Sequence, residues 1–238
     1  MAMHQAEFWI TWWLGSTLNF LQKMIHEIGK DNSIFNQFLA EARNEELHMD
    51  SARFRNNIER MGEILAYELS KELDYTTEEI ITPLGSSDMR VLKSQPVLAT
   101  ILRAGLPLHQ GMLNYFNKAE SAFISAYRKP LKNQDKFEVE IEYLSAPELD
   151  DKELIIADPM LATGTSMALV HKALMAKGKP NHNHIVAVLA TKEGINYVRK
   201  NLPKNTTFWI GAIDDELTAQ SYIVPGLGDA GDISFGKK

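Results

Sequence analysis

The chain has 238 residues, of which 45% are hydrophobic and 24% are charged, a balance typical of a soluble globular protein and not of a disordered one. The net charge of −6 argues against broad nucleic-acid binding but leaves room for a local basic pocket that holds a small anion. The chain has no cysteine, which excludes a disulfide scaffold, a thiol nucleophile and a cysteine-based zinc site, and which is compatible with the cytosol.

An aromatic segment, FWITWWLGSTLNFL, occupies residues 8–21. It is shorter than the stretch of about 20 apolar residues that a membrane span needs. It also lacks the basic start and the small-residue cleavage site of a signal peptide, so we favour an appended helix over a secretion signal. We predict a peripheral N-terminal extension over residues 1–24, a single domain over residues 25–238, a cytoplasmic location and no membrane contact.

Two helices are predicted in the first third of the chain. Asp31 and Ser33 can start the first of them, ahead of Ile34. Ser51 can cap the second, along which apolar residues recur at spacings of three and four and predict one buried face. The apolar residues of that face are Phe54, Ile58, Met61, Leu65, Leu69 and Leu73.

From residue 80 onward the pattern changes to short apolar runs separated by turn residues. The strand candidates are residues 97–102, 121–127, 136–144, 153–157, 184–190 and 206–212. Because these runs alternate with helical stretches, we predict an α/β fold with a mostly parallel twisted sheet flanked by helices. The run at 136–144 alternates apolar and charged residues, which predicts an antiparallel hairpin or edge strand around residues 120–145.

The most informative stretch follows the strand candidate at 153–157. Asp158 stands at the strand end, where its carboxylate can accept hydrogen bonds from both hydroxyls of a sugar diol. The loop that follows contains Gly164 with the hydroxyl residues Thr163, Thr165 and Ser166, and then a helix starts. The unpaired N–H groups and the dipole of that helix start favour an anion, so this loop predicts a phosphate site. The alternative is a capped helix after an Asp-Pro turn.

Residues 97–105 repeat this arrangement. Arg103 follows a buried strand and lies next to Gly105, where its guanidinium is placed for bidentate contact with a phosphate. The alternative is an arginine paired with a surface acid. Ligands of open α/β sheets bind beyond the carboxyl ends of the strands, so two such loops favour a substrate that carries phosphate at both ends.

Three motifs, ILRAG at 101–105, DPMLATGTS at 158–166 and YIVPGLGDAGDISFG at 222–236, resemble those of uracil phosphoribosyltransferases. The likeness extends from Ile34 to Phe235 and implies the type I phosphoribosyltransferase fold, with a C-terminal hood that binds the base. It implies a role in pyrimidine salvage, in which the phosphoribosyl group of 5-phospho-α-D-ribose 1-diphosphate passes to uracil and gives UMP and diphosphate. It also implies Mg²⁺, bound mainly through the substrate diphosphate without a dedicated set of metal ligands.

The resemblance implies a role for each matching residue. The expected catalytic residues are Arg128, Asp158 and Asp229. The residues expected to bind phosphoribosyl diphosphate are Arg103, Ala104, Gly105, Arg128, Asp158, Pro159, Met160, Leu161, Ala162, Thr163, Gly164, Thr165, Ser166 and Asp229. Uracil is expected on Ile223, Gly228, Asp229 and Ala230, largely through the backbone. A homo-oligomer, either dimer or tetramer, is expected, and activation by GTP stays open.

The chain departs from the usual family pattern at three places. Thr165 stands where a second glycine is usual, Lys129 follows Arg128 where an acid is common, and residues 129–138 differ from the usual loop. A threonine with negative φ keeps the N–H that a phosphate needs, so we expect the phosphate loop to work. The changes around residue 129 affect the expected diphosphate contacts and not the reaction.

Two further patterns are excluded as functional sites. GLGDAG at 226–231 has the spacing of a dinucleotide-binding motif, but only seven residues follow it, too few for the required helix and acid. His182 and His184 form an H-x-H pair without a further cysteine or acid cluster nearby to complete a zinc site.

The alternative function is a non-catalytic relative that senses phosphoribosyl diphosphate or a nucleotide and acts as a regulator. Such a relative is expected to lose Arg103, Asp158 or Asp229, and the chain keeps all three. A nucleic-acid-binding regulator also needs a basic face, which the net charge of −6 disfavours. The sequence therefore favours the enzyme, with no nucleic-acid partner.

Overall fold

The structure, a computed structural model, describes residues 24–130 and 137–237, without the side chains of residues 128–130 and 137–139. Most of the predicted N-terminal extension lies outside the described residues, as does the centre of the altered loop at 129–138. The strands are β1 (Ile25–Glu27), β2 (Tyr75–Thr82), β3 (Gly85–Leu92), β4 (Val97–Leu102), β5 (Glu120–Pro130), β6 (Phe137–Ser145), β7 (Glu153–Ala157), β8 (Met160–Leu161), β9 (His182–Thr191), β10 (Thr206–Asp214), β11 (Glu216–Leu217) and β12 (Ile223–Val224). The helices are α1 (Ile34–Arg43), α2 (Ser51–Ser70), α3 (Leu106–Tyr115), α4 (Thr165–Leu174), α5 (Lys192–Asn201) and α6 (Ala230–Phe235).

Eight strands form the central sheet, in the order β1-β10-β9-β7-β4-β5-β6, and β8 pairs with the end of β9. The neighbouring strands are parallel except for β5 and β6, which form an antiparallel pair. The predicted mostly parallel sheet is therefore confirmed, and so is the antiparallel edge strand around residues 120–145.

Helices cover both faces of the sheet and enclose two hydrophobic cores. Residues of α1, α2 and α3 pack with Leu98, Val186 and Trp209 on one face. Residues of α4 and α5 pack with Val97, Ile185 and Phe208 on the other. Successive residues of one strand point to opposite faces, so the central strands are mainly apolar on both faces. This two-sided burial explains why their sequences read as continuous apolar runs.

The starts of the first two helices show how closely the sequence predicts local structure. Ser33 caps α1 as predicted, since its hydroxyl accepts a hydrogen bond from Phe35 N at 3.3 Å. The predicted cap of α2 is wrong by one residue. Asp50 is the cap, because its carboxylate accepts from Arg53 N at 2.9 Å, and Ser51 is the first helical residue. The six apolar residues of the predicted face are all buried.

The sequence does not predict six of the strands, namely β1, β2, β3, β8, β11 and β12. The largest such unit is the antiparallel hairpin of β2 and β3, which forms its own two-stranded sheet and is exposed along almost its whole length. Strand β2 shows no alternation of apolar and polar residues, and β3 shows it only over residues 88–91, so no buried face is visible in the sequence. The two-residue strands β11 and β12 form a second small sheet directly before the C-terminal residues. None of the described helices is long and apolar enough to span a membrane.

Candidate active site

A cavity of about 400 Å³ lies at the carboxyl ends of β4, β5 and β7. Three segments contribute most of its wall: the turn after β4, the loop between β7 and α4, and the C-terminal residues around β12 and α6. Parallel α/β sheets bind ligands at this edge because the loops that follow neighbouring strands meet there.

The cavity brings together most of the residues predicted to bind substrates. The predicted donor-site residues that line it are Arg103, Ala104, Asp158, Met160, Leu161, Ala162, Thr163, Gly164, Ser166 and Asp229. All four predicted base-site residues, Ile223, Gly228, Asp229 and Ala230, also line it. Gly105, Pro159 and Thr165 are not part of the lining. The backbone of Arg128 lies in β5, and its side chain lies outside the described residues.

The loop before α4 has the geometry of an anion site. Gly164 has φ of +79°, in the left-handed region, and a Cβ atom there would lie 2.6 Å from the carbonyl oxygen of Gly194. Glycine is therefore required at this position on both grounds. Gly164 is also the N-cap of α4, and the first turn of the helix carries no acidic residue. The dipole and N–H groups of that turn therefore face an incoming anion without a competing carboxylate.

Thr165, which replaces the usual family glycine, fits this loop. As the first residue of α4 it has helical backbone geometry, so it keeps the negative φ that the sequence analysis requires. Its Oγ1 atom lies 2.9 Å from Oγ1 of Thr163, which does line the cavity. The side chain of Thr165 therefore sits beside the cavity without occupying it.

Asp158 follows the last residue of β7 and lines the cavity. Its N–H donates to the carbonyl oxygen of Val186 at 3.1 Å, which continues the β7–β9 pairing by one residue. Its Oδ1 atom accepts from Met160 N at 3.4 Å, a weak contact that orients the carboxyl group at the start of the loop. The pairing with β9 therefore fixes the position of the Asp158 carboxylate just beyond the end of β7.

The side chain of Arg103 lies at the cavity and also pairs with an acid, which is the alternative considered from the sequence. It lines the cavity, and its Nη2 atom also donates to Asp232 Oδ1 at 3.3 Å and to the carbonyl oxygen of Gly236 at 3.1 Å. Both charged side chains are 35% exposed, so their ion pair is worth at most about 1 kcal/mol. A phosphate group, which carries more charge than one carboxylate, can therefore compete for this guanidinium.

The C-terminal segment presents backbone groups to the cavity. Gly226 and Gly228 have φ of +61° and +82°, which lets the chain turn closely around the lining. Asp229 caps α6, since its Oδ1 atom accepts from Asp232 N at 2.9 Å. Thr218 N donates to the carbonyl oxygen of Tyr222, so these two residues form a hydrogen-bonded pair. Hydrogen-bonded and non-hydrogen-bonded pairs alternate along antiparallel strands, so the next pair, Leu217 and Ile223, is a non-hydrogen-bonded one. The N–H of Ile223 therefore faces away from β11.

A buried ion pair between Arg43 and Asp214 holds this segment at Gly226. The sequence analysis does not identify this pair. Arg43 at the end of α1 donates to both carboxylate oxygens of Asp214, at 2.8 and 2.7 Å, and to the carbonyl oxygen of Gly226 at 2.9 Å. Gly226 N donates to Asp214 Oδ2 at 2.9 Å. Burial alone would raise the pKa of Asp214, but the hydrogen bonds from Arg43 and Gly226, with the charge of Arg43, hold this pKa below its usual value.

A sequence model of the family described as uracil phosphoribosyltransferase matches residues 30–237. The chain belongs to this family. A uracil phosphoribosyltransferase of Porphyromonas gingivalis is 50% identical over 216 residues, which cover 91% of this chain and 99% of that protein. Another, of Methanothermobacter thermautotrophicus, is 38% identical over 191 residues, or 79% of this chain and 86% of that one. These matches confirm the predicted family and the enzyme class that it implies.

Solved structures share the fold of this chain. A protein from Aquifex aeolicus superposes with a TM-score of 0.79 at 28% identity and covers 90% of this chain and 98% of its own. An adenine phosphoribosyl transferase from Trypanosoma brucei superposes with a TM-score of 0.52 at 11% identity, over 81% of this chain and 84% of its own, which shows the fold alone. The predicted type I phosphoribosyltransferase fold is confirmed.

Replacing Asp214 by asparagine is expected to lower the free energy of unfolding by about 3 kcal/mol at neutral pH, because it leaves Arg43 partly buried without its counter-charge. The pKa of Asp214 is lower in the folded chain than in the unfolded one, so the stabilisation is complete above the unfolded value of about 3.9 and is lost as the pH falls through the folded value. The difference between parent and variant should therefore be constant from neutral pH to about pH 5 and shrink below about pH 4.

Urea unfolding of both proteins at several pH values measures this difference. Asp215→Asn is the matched control, because Asp215 is 74% exposed and its contact with Lys192 at 2.6 Å lies at the surface. Equal stability losses in the two variants would show that the buried pair does not hold the C-terminal segment.

Proposed function

We propose that the cavity catalyses transfer of the phosphoribosyl group of phosphoribosyl diphosphate to uracil, giving UMP and diphosphate, in pyrimidine salvage. The observation that carries this proposal is that one cavity is lined by the Gly164 loop at a helix start, the carboxylate of Asp158 at a strand end, Arg103 and the backbone around Gly228. Membership of the chain in the uracil phosphoribosyltransferase family supports the same reaction. The cytoplasmic location and the absence of nucleic-acid partners stay predictions.

The donor is proposed to lie along the loop between β7 and α4. Its 5′-phosphate accepts hydrogen bonds from the N–H groups at the start of α4 and from the hydroxyls of Thr163 and Ser166. Asp158 accepts hydrogen bonds from the ribose hydroxyls. The support is positional, since the loop and this carboxylate line the same cavity and neither occupies its centre.

The diphosphate is proposed to lie against Arg103 and the backbone of Ala104, with Arg128 reaching it from β5. The Nε atom of Arg103 is buried and has no hydrogen-bond partner among the described residues. An unpaired buried donor costs about 1–3 kcal/mol, and a reorientation of the side chain that brings this atom to a phosphate oxygen would recover that energy. The N–H of Gly105 donates to the carbonyl oxygen of Ile101 and shapes the turn, and the predicted contact of Gly105 with the donor stays a prediction.

Mg²⁺ fits this site as a group held mainly by the substrate. Asp158 and Asp229 supply carboxylate oxygens to the cavity, and Mg²⁺ in proteins is often bound by one or two carboxylates together with substrate phosphates. The described part of the chain has no cluster of three or more histidine, cysteine or acidic groups that could hold a metal. When bound, Mg²⁺ neutralises part of the charge on the diphosphate.

The reaction breaks the bond between ribose C1′ and a diphosphate oxygen, and the electron pair of that bond leaves with the diphosphate. Uracil N1 forms the new bond to C1′ and releases its proton. Positive charge develops on the sugar, close to Asp158 and Asp229, while negative charge develops close to Arg103. Groups that are already oriented toward these charges lower the barrier, and their fixed positions on strand ends and helix starts supply that orientation.

A homo-oligomer, either dimer or tetramer, is proposed on the basis of the β2–β3 hairpin. The hairpin exposes Ile81, Leu84 and Met89 by 79%, 101% and 51%. An isolated two-stranded hairpin is only marginally stable in water, so a surface that covers it is expected. A second copy of the chain can supply such a surface, because it is present wherever the protein is.

The assay that tests the function measures UMP formed from phosphoribosyl diphosphate and uracil, with cytosine as the competing base. The Gly228 carbonyl is proposed to accept from uracil N3–H, and the N–H groups of Ile223 and Ala230 to donate to its two oxygens. Cytosine reverses two of these contacts, at about 1–3 kcal/mol each, so kcat/KM should favour uracil by about 30-fold or more. A ratio near one would contradict the assignment of the base site.

Two substitutions distinguish the proposed contact of Arg103 with the diphosphate from its ion pair with Asp232. Arg103→Ala is expected to lower kcat about a hundredfold, because a lost charged contact to the leaving group costs about 3 kcal/mol in the transition state. Asp232→Ala removes the same ion pair but leaves the guanidinium, so turnover should persist with a stability loss of at most about 1 kcal/mol. Steady-state kinetics and thermal unfolding distinguish the two effects, and equal losses of turnover in both variants would show that Arg103 acts only through Asp232.

Replacing Ile81 and Leu84 together by aspartate is expected to convert the oligomer to a smaller species, because burial of two added charges is costly. Light scattering coupled to gel filtration measures the mass. Met49→Asp is the control, since Met49 is 95% exposed outside the hairpin. An unchanged mass in the hairpin variant, or a monomeric parent, would contradict the proposed interface.

A further inference from the structure

The loop between β7 and α4 is fastened to the last residues of β9 at three successive points. Leu189 N donates to the carbonyl oxygen of Pro159 at 2.9 Å. The short strand β8 then pairs with Leu189 and Ala190. Finally, the hydroxyl of Thr191 donates to the carbonyl oxygen of Ala162 at 2.7 Å. The last of these attachments is the only one of the three made by a side chain.

Thr191 is the last residue of β9 and is 1% exposed. The same Oγ1 atom that donates to Ala162 also accepts from Gly194 N at 2.9 Å, so Thr191 is the N-cap of α5. A hydroxyl has one proton to donate and can accept at the same time, so both bonds form together. One buried oxygen therefore joins the phosphate loop to the start of α5.

The first turn of α5 also touches the phosphate loop directly, backbone against backbone. A Cβ atom on Gly194 would lie 2.7 Å from the carbonyl oxygen of Leu161, and one on Gly164 would lie 2.6 Å from the carbonyl oxygen of Gly194. No side chain can adapt at this contact, so the position of the α5 start fixes the position of the loop. Thr191 sets the position of the loop relative to the start of α5, because its hydroxyl bonds to Ala162 in the loop and to Gly194 in the helix.

We propose that Thr191 is a positioning residue for the phosphoribosyl donor, acting through Ala162 and Gly194. This inference rests on the proposed function of the cavity. Thr191 itself does not line the cavity, whereas Ala162, Thr163 and Gly164 do. Without its hydroxyl, the Ala162 carbonyl and the Gly194 N–H each lose a partner, and the loop relaxes relative to α4. Misplacement of a binding group by about 1 Å can cost about a hundredfold in rate, so small movements matter here.

The test must separate positioning from stability, because any buried hydroxyl contributes to stability. Thr206 supplies the matched control: it is also 1% exposed, and its hydroxyl donates to the carbonyl oxygen of Pro203 at 2.7 Å. Thr206 begins β10, at the end of the sheet opposite the cavity. Thr206→Val therefore removes a comparable buried hydrogen bond without touching the phosphate loop.

The experiment compares the parent with Thr191→Val, Thr191→Ser and Thr206→Val. Thr191→Val is expected to raise KM for phosphoribosyl diphosphate about tenfold or more, with KM for uracil changed by less than about twofold. The serine variant keeps the hydroxyl and should behave like the parent. Thr206→Val should lower the thermal midpoint in the same manner as Thr191→Val and leave both KM values unchanged. If the valine variant does not fold, Thr191→Ala removes the same hydroxyl with less bulk.

Direct binding of ribose 5-phosphate, measured by calorimetry, keeps this inference distinct from the proposed function. Weaker binding to Thr191→Val than to the parent and to Thr206→Val supports the positioning role even if the parent makes no UMP, an outcome that would overturn the proposed reaction alone. Equal donor KM and equal ribose 5-phosphate binding in all variants would overturn the positioning role. A parent that binds no ribose 5-phosphate would overturn it as well, and so would a serine variant as impaired as the valine one.

Discussion

The parallel pairing of β4 with β7 is the constraint on which the site depends. Thr100 lies opposite Ala157 in this pair, and the Thr100 hydroxyl donates to the carbonyl oxygen of Ala157 at 3.3 Å inside the core. Strand β7 ends at Ala157 and β4 ends two residues after Thr100, at Leu102, so Asp158 and Arg103 both follow neighbouring strand ends. A diphosphate and the ribose that carries it are adjacent in one molecule, and this register places their binding groups adjacent in the protein.

The sequence predicts the parts of the molecule that are determined locally. Strands β4 and β7 have the predicted bounds because both of their faces are buried, which makes all but one position of each strand apolar. The loop with Gly164 is visible because a left-handed residue next to a helix start requires glycine. The β2–β3 hairpin is not visible, because its exposed apolar residues show no alternation that marks a buried face.

Contacts between distant segments escape prediction for a different reason. Arg43 and Asp214 lie 171 residues apart, and each is an ordinary charged residue at the end of an ordinary element. Thr191 is likewise one of many threonines, and only the fold shows that its hydroxyl meets Ala162. Most residues predicted to bind substrates come from contiguous family motifs and line one cavity, whereas the residues that support the lining are scattered along the chain.

The C-terminal helix α6 connects the proposed base site to the proposed diphosphate site. With six residues, α6 is too short to be stable alone, so its order depends on contacts at both of its ends. Asp229 caps its start next to the base-binding backbone, while Arg103 contacts Asp232 and Gly236 from the diphosphate side. Arg55 donates to the carbonyl oxygen of Ser234 at 2.6 Å and fixes the same turn to α2. If Arg103 exchanges some of these contacts for a phosphate, as proposed, donor binding changes the support of the helix that begins at the proposed base site.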